Sequence, residues 1–343
     1  MKYKSVLLLA AALLLLAVSC KDKEEETTYL SFVGTPEFTL PPFIEVGSTI
    51  NITPKNVTRA TTDKETAVPG CYWTVSQLAI RDTVRREGDP SSLPFSYTLH
   101  IPDSLRTITV LCAVYAEGYT NASSSVNSII VRTGQGYSSL QGFEYPHHTF
   151  RDARDGKIYH YTKAAGLDWM AQNLAYAEEG HSYYDCEVMD GIFGRYYTWN
   201  EAQRACPEGW RLPTNEEFLA FNNAFLKTPV EASAKENFKN GAGNHMANGY
   251  FNDTRLWEFW PDVTPLNTSG LSLLPLGYMA VQGDVTNFMD VMKYAMFWTA
   301  DNYGEEQAYY RSIYMKYDAI GCELGYKDYM ALNTRCVRTS CED

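Results

Sequence analysis

The first half of the chain alternates apolar and polar residues over short runs that Pro, Gly and polar clusters separate. The clearest runs cover residues 49–53, 72–75, 95–100 and 107–115. A period of two is typical of strands with one buried face, and no amphipathic helix interrupts the series. The pattern therefore predicts an all-β sandwich over residues 28–134.

Beyond residue 150 the pattern predicts strands mixed with two short helices. Residues 198–205 contain no Gly or Pro and fit the first helix. Thr214 and Glu217 have the spacing of a capping box, which predicts a second helix running to about Lys227. Short helices beside many short strands predict an α+β domain over residues 150–343. The apolar stripe of the second helix comprises Phe218, Leu219, Phe221, Phe225 and Leu226.

The amino-terminal segment has the pattern of an export signal. Two lysines precede an apolar run over residues 6–18, which is shorter than the roughly 20 residues that cross a bilayer. Residues 1–19 are therefore predicted to be cleaved on export. Residues 16–20, Leu-Ala-Val-Ser-Cys, resemble a bacterial lipobox, which implies cleavage before Cys20 and acylation of its thiol. The alternative is a plain secretory signal, in which Cys20 has no role.

The residues that follow Cys20 support a lipid anchor. Residues 20–27 are charged and poor in apolar side chains, so they form an acidic tether that cannot pack. This tether resembles the acidic stretch of surface-exported lipoproteins in the Bacteroidetes. We therefore expect an outer-membrane lipoprotein of the cell envelope that faces the cell surface, with inner-leaflet retention as the alternative. Gly-rich residues 135–149 are the predicted linker between the two folded halves.

Composition and charge narrow the classes of partner. The chain has 343 residues, 45% of them hydrophobic, which is enough for two domains with real cores. Its formal net charge of −12 argues against non-specific binding to nucleic acid or to an anionic membrane surface, and we expect no nucleic-acid partner. The 25 tyrosines combine an apolar ring with a polar tip, and this suits large contact surfaces that stay in water.

Two cysteines in the predicted sandwich form a candidate disulfide. Cys71 and Cys112 lie on separate predicted strands, and Trp73 lies near the first of them. This arrangement resembles immunoglobulin-like modules, although the tryptophan is closer to the first cysteine than in antibody domains. An oxidising compartment would preserve a bond between Cys71 and Cys112. The alternative is two buried thiols.

The C-terminal half carries a series of patterned blocks. They are residues 169–174, 194–202, 206–214, 274–278, 297–299 and 335–338. The series, from about residue 150 to 339, resembles in order and in content the Fibrobacter succinogenes major paralogous domain family. The resemblance implies a C-type-lectin-like fold, related in shape to formylglycine-generating enzymes. The whole chain is then expected to be α+β, with an immunoglobulin-like sandwich before a C-type-lectin-like domain.

The same resemblance implies one disulfide. In C-type-lectin-like domains a bond commonly joins the first helix to the last strand, which here implies a bond between Cys206 and Cys336. Cys186, Cys322 and Cys341 remain, and the sequence does not choose among their pairings.

The sequence contains few motifs that indicate catalysis or metal binding. No Gly-x-Ser-x-Gly or His-Glu-x-x-His motif is present, and Cys322 lies beside an acid that would raise its pKa. Phe251-Asn252-Asp253 is the nearest match to the triplets with which calcium-dependent lectins bind sugar, and it is a poor one. His147 and His148 are adjacent and lack further ligands at metal-site spacing. We therefore expect no enzyme activity, no cofactor and no metal.

An aromatic insertion over residues 228–267 is the candidate recognition surface. The candidate ligand-binding residues are Tyr250, Phe251, Trp257 and Trp260, because aromatic rings are common interface anchors. The alternative is that these rings fill the core. The expected function is binding of a glycan or surface protein without chemistry. The alternatives are a tip subunit of a surface fimbria and a degenerate relative of the formylglycine-generating oxidases.

Overall fold

The computed structural model describes residues 29–55, 59–60, 70–77, 80–87, 94–99, 106–133, 138–257, 263–283 and 285–340. The predicted export signal, Cys20, the acidic tether, Trp260 and Cys341 lie outside these residues. Within the described part of the chain, no helix has the length and apolar character needed to cross a bilayer.

Every described regular element in the first half is a strand. Three sheets form, with the strand orders β2-β10-β8-β5-β6, β4-β1-β9 and β3-β7. The strands are β1 (Leu30–Val33), β2 (Phe43–Glu45), β3 (Thr49–Ile52), β4 (Arg59–Ala60), β5 (Gly70–Gln77), β6 (Ile80–Glu87), β7 (Phe95–Thr98), β8 (Thr107–Tyr115), β9 (Tyr119–Thr120) and β10 (Ala122–Val131).

The core of the first half lies between the five-stranded sheet and the β3–β7 pair. Alternate residues of β5 and β8 are buried on one face, as their period of two predicts. Trp73 of β5 stacks on Phe95 of β7, with ring centroids 4.7 Å apart. Ile50 and Ile52 of β3 belong to the same buried cluster. The described elements of the first half are therefore all strands packed around one buried cluster, as the alternation predicts.

The disulfide predicted between Cys71 and Cys112 is wrong: both cysteines are buried thiols. Strands β5 and β8 are neighbours in one sheet, and Cys112 lies opposite Trp73 while Cys71 lies opposite Val114. Such diagonal neighbours are about 7–8 Å apart at Cα, beyond the usual span of a disulfide. Burial raises the pKa of Cys112 to about 12.

The second half is built from small sheets and short helices. Its sheet orders are β11-β17-β18, β12-β13-β14-β25, β15-β24-β19-β20 and β16-β23-β22-β21. Its strands are β11 (Leu140–Gln141), β12 (His148–Arg151), β13 (Ile158–Ala164), β14 (Leu167–Met170), β15 (Tyr197–Thr198), β16 (Phe238–Lys239), β17 (Tyr250–Phe251), β18 (Thr254–Arg255), β19 (Tyr278–Gln282), β20 (Val285–Met289), β21 (Tyr294–Tyr303), β22 (Gln307–Tyr314), β23 (Ala319–Tyr326), β24 (Met330–Leu332) and β25 (Val337–Thr339).

Two of the four described helices of the second half lie where the sequence predicts helices, and the other two were not predicted. The helices are α1 (Asp190–Phe193), α2 (Trp199–Ala205), α3 (Asn215–Asn223) and α4 (Ala242–His245), with 3-10 turns at Tyr183–Asp185 and Glu187–Met189. This mixture is compatible with the predicted α+β class.

Capping boxes fix the starts of the two main helices. Thr214 and Glu217 form the predicted capping box of α3, and α2 begins with an equivalent box. Helix α3 ends at Asn223 rather than near Lys227. The Asn223 side-chain amide bonds both backbone groups of Val230 and so connects the helix end to the segment that follows.

The disulfide implied between Cys206 and Cys336 is confirmed. It connects the end of α2 to the segment before β25, with a Cα–Cα distance of 5.9 Å. Strand β25, near the end of this half, pairs with β14, near its start. The disulfide therefore lies next to the pairing of these two segments.

Residues 138–149 of the predicted linker are described, and described residues of the two halves are in contact. Strand β11 pairs with β17, so Leu140 lies opposite Phe251. Phe43 of the sandwich belongs to the main buried cluster of the second half, and its ring centroid is 5.5 Å from that of Tyr183. Asn252 donates a side-chain hydrogen bond to the carbonyl of Ile130, 2.8 Å away.

Candidate functional site

Two of the predicted ligand-binding residues lie in the core, so their assignment is wrong. Trp257 is 1% exposed and Phe251 is 8% exposed, and both belong to the main buried cluster. The ring of Phe251 lies 4.9 Å from that of Phe193. The β17–β18 hairpin packs between the sandwich and the rest of the second half, so its apolar rings are not exposed to solvent.

Tyr250 is the predicted residue that stays exposed, and its ring lies against its own chain. A Cβ at Gly142 would be 2.9 Å from that ring, and Gly142 has a left-handed φ of 87°. The Arg255 guanidinium lies 6.0 Å from the ring centroid. Tyr250 therefore packs on the hairpin and is not grouped with Phe251 and Trp257 in a surface site.

Asn252 and Asp253 form the tight turn of this hairpin, and their side chains contact residues of the sandwich. Both have left-handed φ values, 46° and 62°. Asn252 bonds Ile130, and Asp253 forms an ion pair with Arg106. Two side chains of the triplet nearest to a calcium-binding one, Asn252 and Asp253, therefore already make contacts between the two halves. Within the described ranges, no three His, Cys, Asp or Glu side chains are close enough to hold a metal ion.

A different part of the second half forms an open site, which we call the tyrosine cleft. Its volume is about 440 Å³, within the range of small-ligand sites. It lies between the sheet of β21–β23 and strands β19 and β24. Its lining consists of five tyrosines, two acids and a few apolar positions: Tyr278, Tyr294, Tyr310, Tyr326, Tyr329, Asp290, Glu323, Met296, Leu324, Gly325 and Met330.

Strand register brings the polar floor of the tyrosine cleft together. Glu323 of β23 lies opposite Tyr310 of β22, and Tyr310 lies opposite Trp298 of β21. Directly opposed residues point to the same face of a sheet, so these three side chains share one face. At Gly325, two residues along β23, a Cβ would lie 2.7 Å from the Trp298 ring, so that ring closes the floor there.

A short hydrogen bond orients the carboxylate of the floor. The Tyr310 hydroxyl donates to Glu323 Oε2 at 2.6 Å. Burial, and then this bond, raise the pKa of Tyr310, so the hydroxyl stays protonated and remains a donor. In the described part of the chain, Glu323 Oε1 accepts no hydrogen bond. One carboxylate oxygen is therefore held by Tyr310, while the other lies toward Gly321.

The rim of the tyrosine cleft exposes two rings to solvent. Tyr326 is 52% exposed and Tyr329 is 66% exposed. Their centroids are 6.5 Å apart, with the rings nearly perpendicular. Deeper in the cleft, Tyr294 stacks on Tyr314 at 4.3 Å, so one face of Tyr294 is already covered. The rim therefore has the free aromatic surface of the site.

The electrostatics of the tyrosine cleft are negative. Among its described lining residues none is Lys, Arg or His, while Asp290 and Glu323 are both acidic. Burial raises the pKa of Tyr294, and Tyr314, Asp290 and Glu323 add to the rise. The Lys293 ammonium lies 3.8 Å from the Asp290 carboxylate and offsets part of its charge. Glu323 is therefore the principal free anion.

Sequence reasoning missed the tyrosine cleft. Tyr278, Tyr294, Tyr310 and Tyr326 recur at intervals of sixteen residues. This spacing does not match the strand register, because Tyr294 lies opposite Tyr314, Tyr310 opposite Glu323 and Tyr326 opposite Gln307. The site depends on strand pairing that the spacing of these residues does not reveal.

Comparison with known proteins gives one result. A search of curated proteins finds no match. A model of the Fibrobacter succinogenes major domain matches residues 162–338, which is just over half of the chain and includes every residue that lines the tyrosine cleft. The chain therefore belongs to the Fibrobacter succinogenes major domain family.

Proposed function

We propose that this protein is a cell-envelope lipoprotein that binds a glycan or a surface protein through the tyrosine cleft, without chemistry. The observation that carries the proposal is an open cleft of about 440 Å³ whose lining includes the exposed Tyr326 and Tyr329 and the oriented carboxylate of Glu323. Tyrosine gives rigid contact area at low entropic cost and tolerates water when it is unoccupied. We further propose that the second half has a C-type-lectin-like fold, as the sequence blocks imply.

The state of the cysteines supports binding over redox chemistry. Cys206 and Cys336 are bonded to each other. Burial raises the pKa of both Cys186 and Cys322, and a raised pKa keeps the thiol in its less nucleophilic form. The oxidase alternative requires a reactive thiolate, so these thiols do not favour it.

The anchor and the sandwich support a role at the envelope. The lipobox-like residues 16–20 and the acidic residues 20–27 form, in this proposal, an outer-membrane anchor and a tether. The sandwich contacts the second half through Phe43 and Asn252. It therefore acts as a spacer in fixed contact with the domain that binds.

Arrays of glycans and of surface proteins, probed with the full mature chain, test this function. We expect at least one saturable ligand, and we expect Tyr326→Ala with Tyr329→Ala to weaken its binding at least about tenfold. Tyr317→Ala is the matched control, because Tyr317 is 61% exposed and does not line the tyrosine cleft. Binding that survives the double variant, or no ligand on either array, would contradict the proposal.

A further inference from the structure

The outer edge of strand β20 (Val285–Met289) has no backbone partner among the described strands. β20 is the last strand of the sheet β15-β24-β19-β20, and all five of its residues pair with β19 on the other side. The outward N–H and C=O groups of an edge strand are able to pair with another extended chain. β20 therefore offers a template for one added strand.

Proteins protect sheet edges with charged side chains, proline or a covering segment, and β20 has none of these among the described residues. Other edge strands of the second half are protected: β12 ends in Arg151, and β25 forms a bridge between Val337 and Arg211. Strand β21 is likewise bridged, from Phe297 to Asn333. The sequence of β20 is Val-Thr-Asn-Phe-Met, with no charge and no proline. An edge left open in this way suits pairing with a partner.

The exposed face of β20 continues into the wall of the tyrosine cleft. Val285 is 57% exposed and Met289 is 44% exposed, and both lie on one face because they are four residues apart on the strand. Met289 lies directly opposite Tyr278 of β19, which lines the tyrosine cleft. The opposite face points into the protein, where the Phe288 ring lies 5.2 Å from that of Tyr196. A strand added to β20 therefore meets apolar side chains beside the cleft.

The charges at the two ends of β20 favour a basic partner. In the sequence, Asp284 precedes the strand and Asp290 follows it. Lys293 offsets part of the Asp290 charge, but Glu323 adds a second acid to the lining of the adjoining cleft, in which no described residue is basic. Opposite charges on paired strands stabilise the pairing, and like charges weaken it. An added strand with Lys or Arg at its ends is therefore favoured over an acidic one.

A second copy of this chain fits the β20 edge less well. Two β20 strands that pair antiparallel over their whole length are centred on Asn287, which places Val285 of each opposite Met289 of the other. In that register the acids that flank the two strands, Asp284 and Asp290, come opposite each other. Like charges that are directly opposed destabilise a strand pair. The edge therefore favours a different chain of opposite charge.

We propose that the β20 edge binds an extended segment of a partner protein, whose backbone adds one strand to the sheet and whose end residues are Lys or Arg. Backbone hydrogen bonds supply affinity in this mode of binding, and alternate side chains supply specificity. The apolar side chains of the segment lie beside Val285 and Met289. The inference goes beyond the proposed function, because this surface is next to the tyrosine cleft and binds whether or not the cleft holds a glycan.

Two peptides of opposite charge test the inference with the full mature chain. Both have the core Val-Thr-Val-Thr-Val and blocked termini, and they carry either Lys or Glu at each end. By fluorescence anisotropy the Lys peptide should bind with a Kd below about 1 mM, and at least about tenfold more tightly than the Glu peptide. Its binding should slow hydrogen exchange in β20, because an added strand bonds the outer amides.

Variants on the exposed face separate strand addition from general attraction of charge. Val285→Lys combined with Met289→Lys protects the edge with two cations and should weaken binding of the Lys peptide at least about tenfold. Ile158→Lys combined with Val33→Lys is the matched control. Both of these apolar residues are more than half exposed and lie on other strands, so the same change in net charge should alter affinity less than about twofold. Thermal melts check that both double variants fold.

The outcomes distinguish this inference from the proposed function. Equal affinity for the two peptides, no saturable binding of the Lys peptide, or slowed exchange outside β20 overturns the inference and leaves recognition by the tyrosine cleft standing. A mature chain that is dimeric, and that becomes monomeric with Val285→Lys and Met289→Lys, assigns the edge to a second copy and also overturns it. An array ligand that does not depend on Tyr326 and Tyr329 overturns the proposed function alone.

Discussion

Two aromatic regions of the second half differ in the solvent exposure of their rings. In the β17–β18 hairpin and the turn after it, Phe251 and Trp257 are buried, whereas in the tyrosine cleft Tyr326 and Tyr329 are more than half exposed. Both regions carry several rings, and both lie within the matched family region. The difference follows position in the fold and not side-chain type, because Tyr197 of the same half is fully buried while Tyr326 and Tyr329 are exposed.

The buried region also joins the two halves, which explains why it has no free face. Phe251 lies opposite Leu140, which precedes the second half, and Asn252 bonds Ile130 of the sandwich. The Trp257 indole N–H is buried and has no hydrogen-bond partner among the described residues. A buried donor without a partner costs free energy, so Trp257 is retained for its packing and not for its polar atom.

Removal of Trp257 should have the largest effect on stability. Trp257→Ala is expected to lower the free energy of unfolding by about 3–5 kcal/mol, because it leaves a large cavity in the main cluster. Trp257→Phe, the matched control, should cost clearly less. Urea unfolding monitored by circular dichroism measures both. A loss below about 1 kcal/mol for the alanine variant would show that this ring is not part of the core.

The buried region should also be the acid-sensitive one, because His245 of α4 is fully buried there. Its Nε2 lies 2.8 Å from Asn222 Oδ1 and its Nδ1 lies 2.9 Å from Ser269 Oγ. Burial lowers the pKa of His245 to about 3. A histidine in the unfolded chain has a pKa of about 6.5. Below that pH the unfolded state is therefore protonated at this residue while the folded state is not.

This histidine therefore contributes stability that is present above about pH 6.5 and is lost as the pH falls toward about 3, at about 1.4 kcal/mol per pH unit. Unfolding measured from pH 7 to pH 5 should show a loss of about 2 kcal/mol from this group. His245→Gln should flatten that pH dependence, although it lowers stability at pH 7. His148→Gln changes an exposed ring and should leave the slope unaltered. An unchanged slope in His245→Gln would count against this assignment.

The elements that local rules govern could be predicted from the sequence. The capping residues Thr198 and Thr214 act within one turn of helix, so their spacing in sequence is their spacing in space. The bond between Cys206 and Cys336 followed from the resemblance of the surrounding blocks. Alternation along β8 likewise predicted which of its residues are buried.

Features that depend on distant partners could not be predicted in the same way. Alternation shows which face Cys71 occupies, but not that its strand neighbours the one that carries Cys112 in the same sheet. Local composition likewise marked Phe251 as aromatic, while its burial depends on Leu140 and Phe193, which are far away in sequence. The tyrosine cleft depends on the register of several strands, which the sequence does not reveal.

The smallest stability effect should come from the rim of the tyrosine cleft. Tyr329→Ala is expected to change the free energy of unfolding by less than about 0.5 kcal/mol, because its ring is 66% exposed and its recorded ring contact is with Tyr326, itself 52% exposed. Tyr197→Ala is the buried counterpart, since Tyr197 is fully buried, and it should cost several times more. Urea unfolding of the two variants side by side makes the comparison. If Tyr329→Ala proved as costly as Tyr197→Ala, the rim rings would be part of the packing, and a surface held by packing could not be kept free for a ligand.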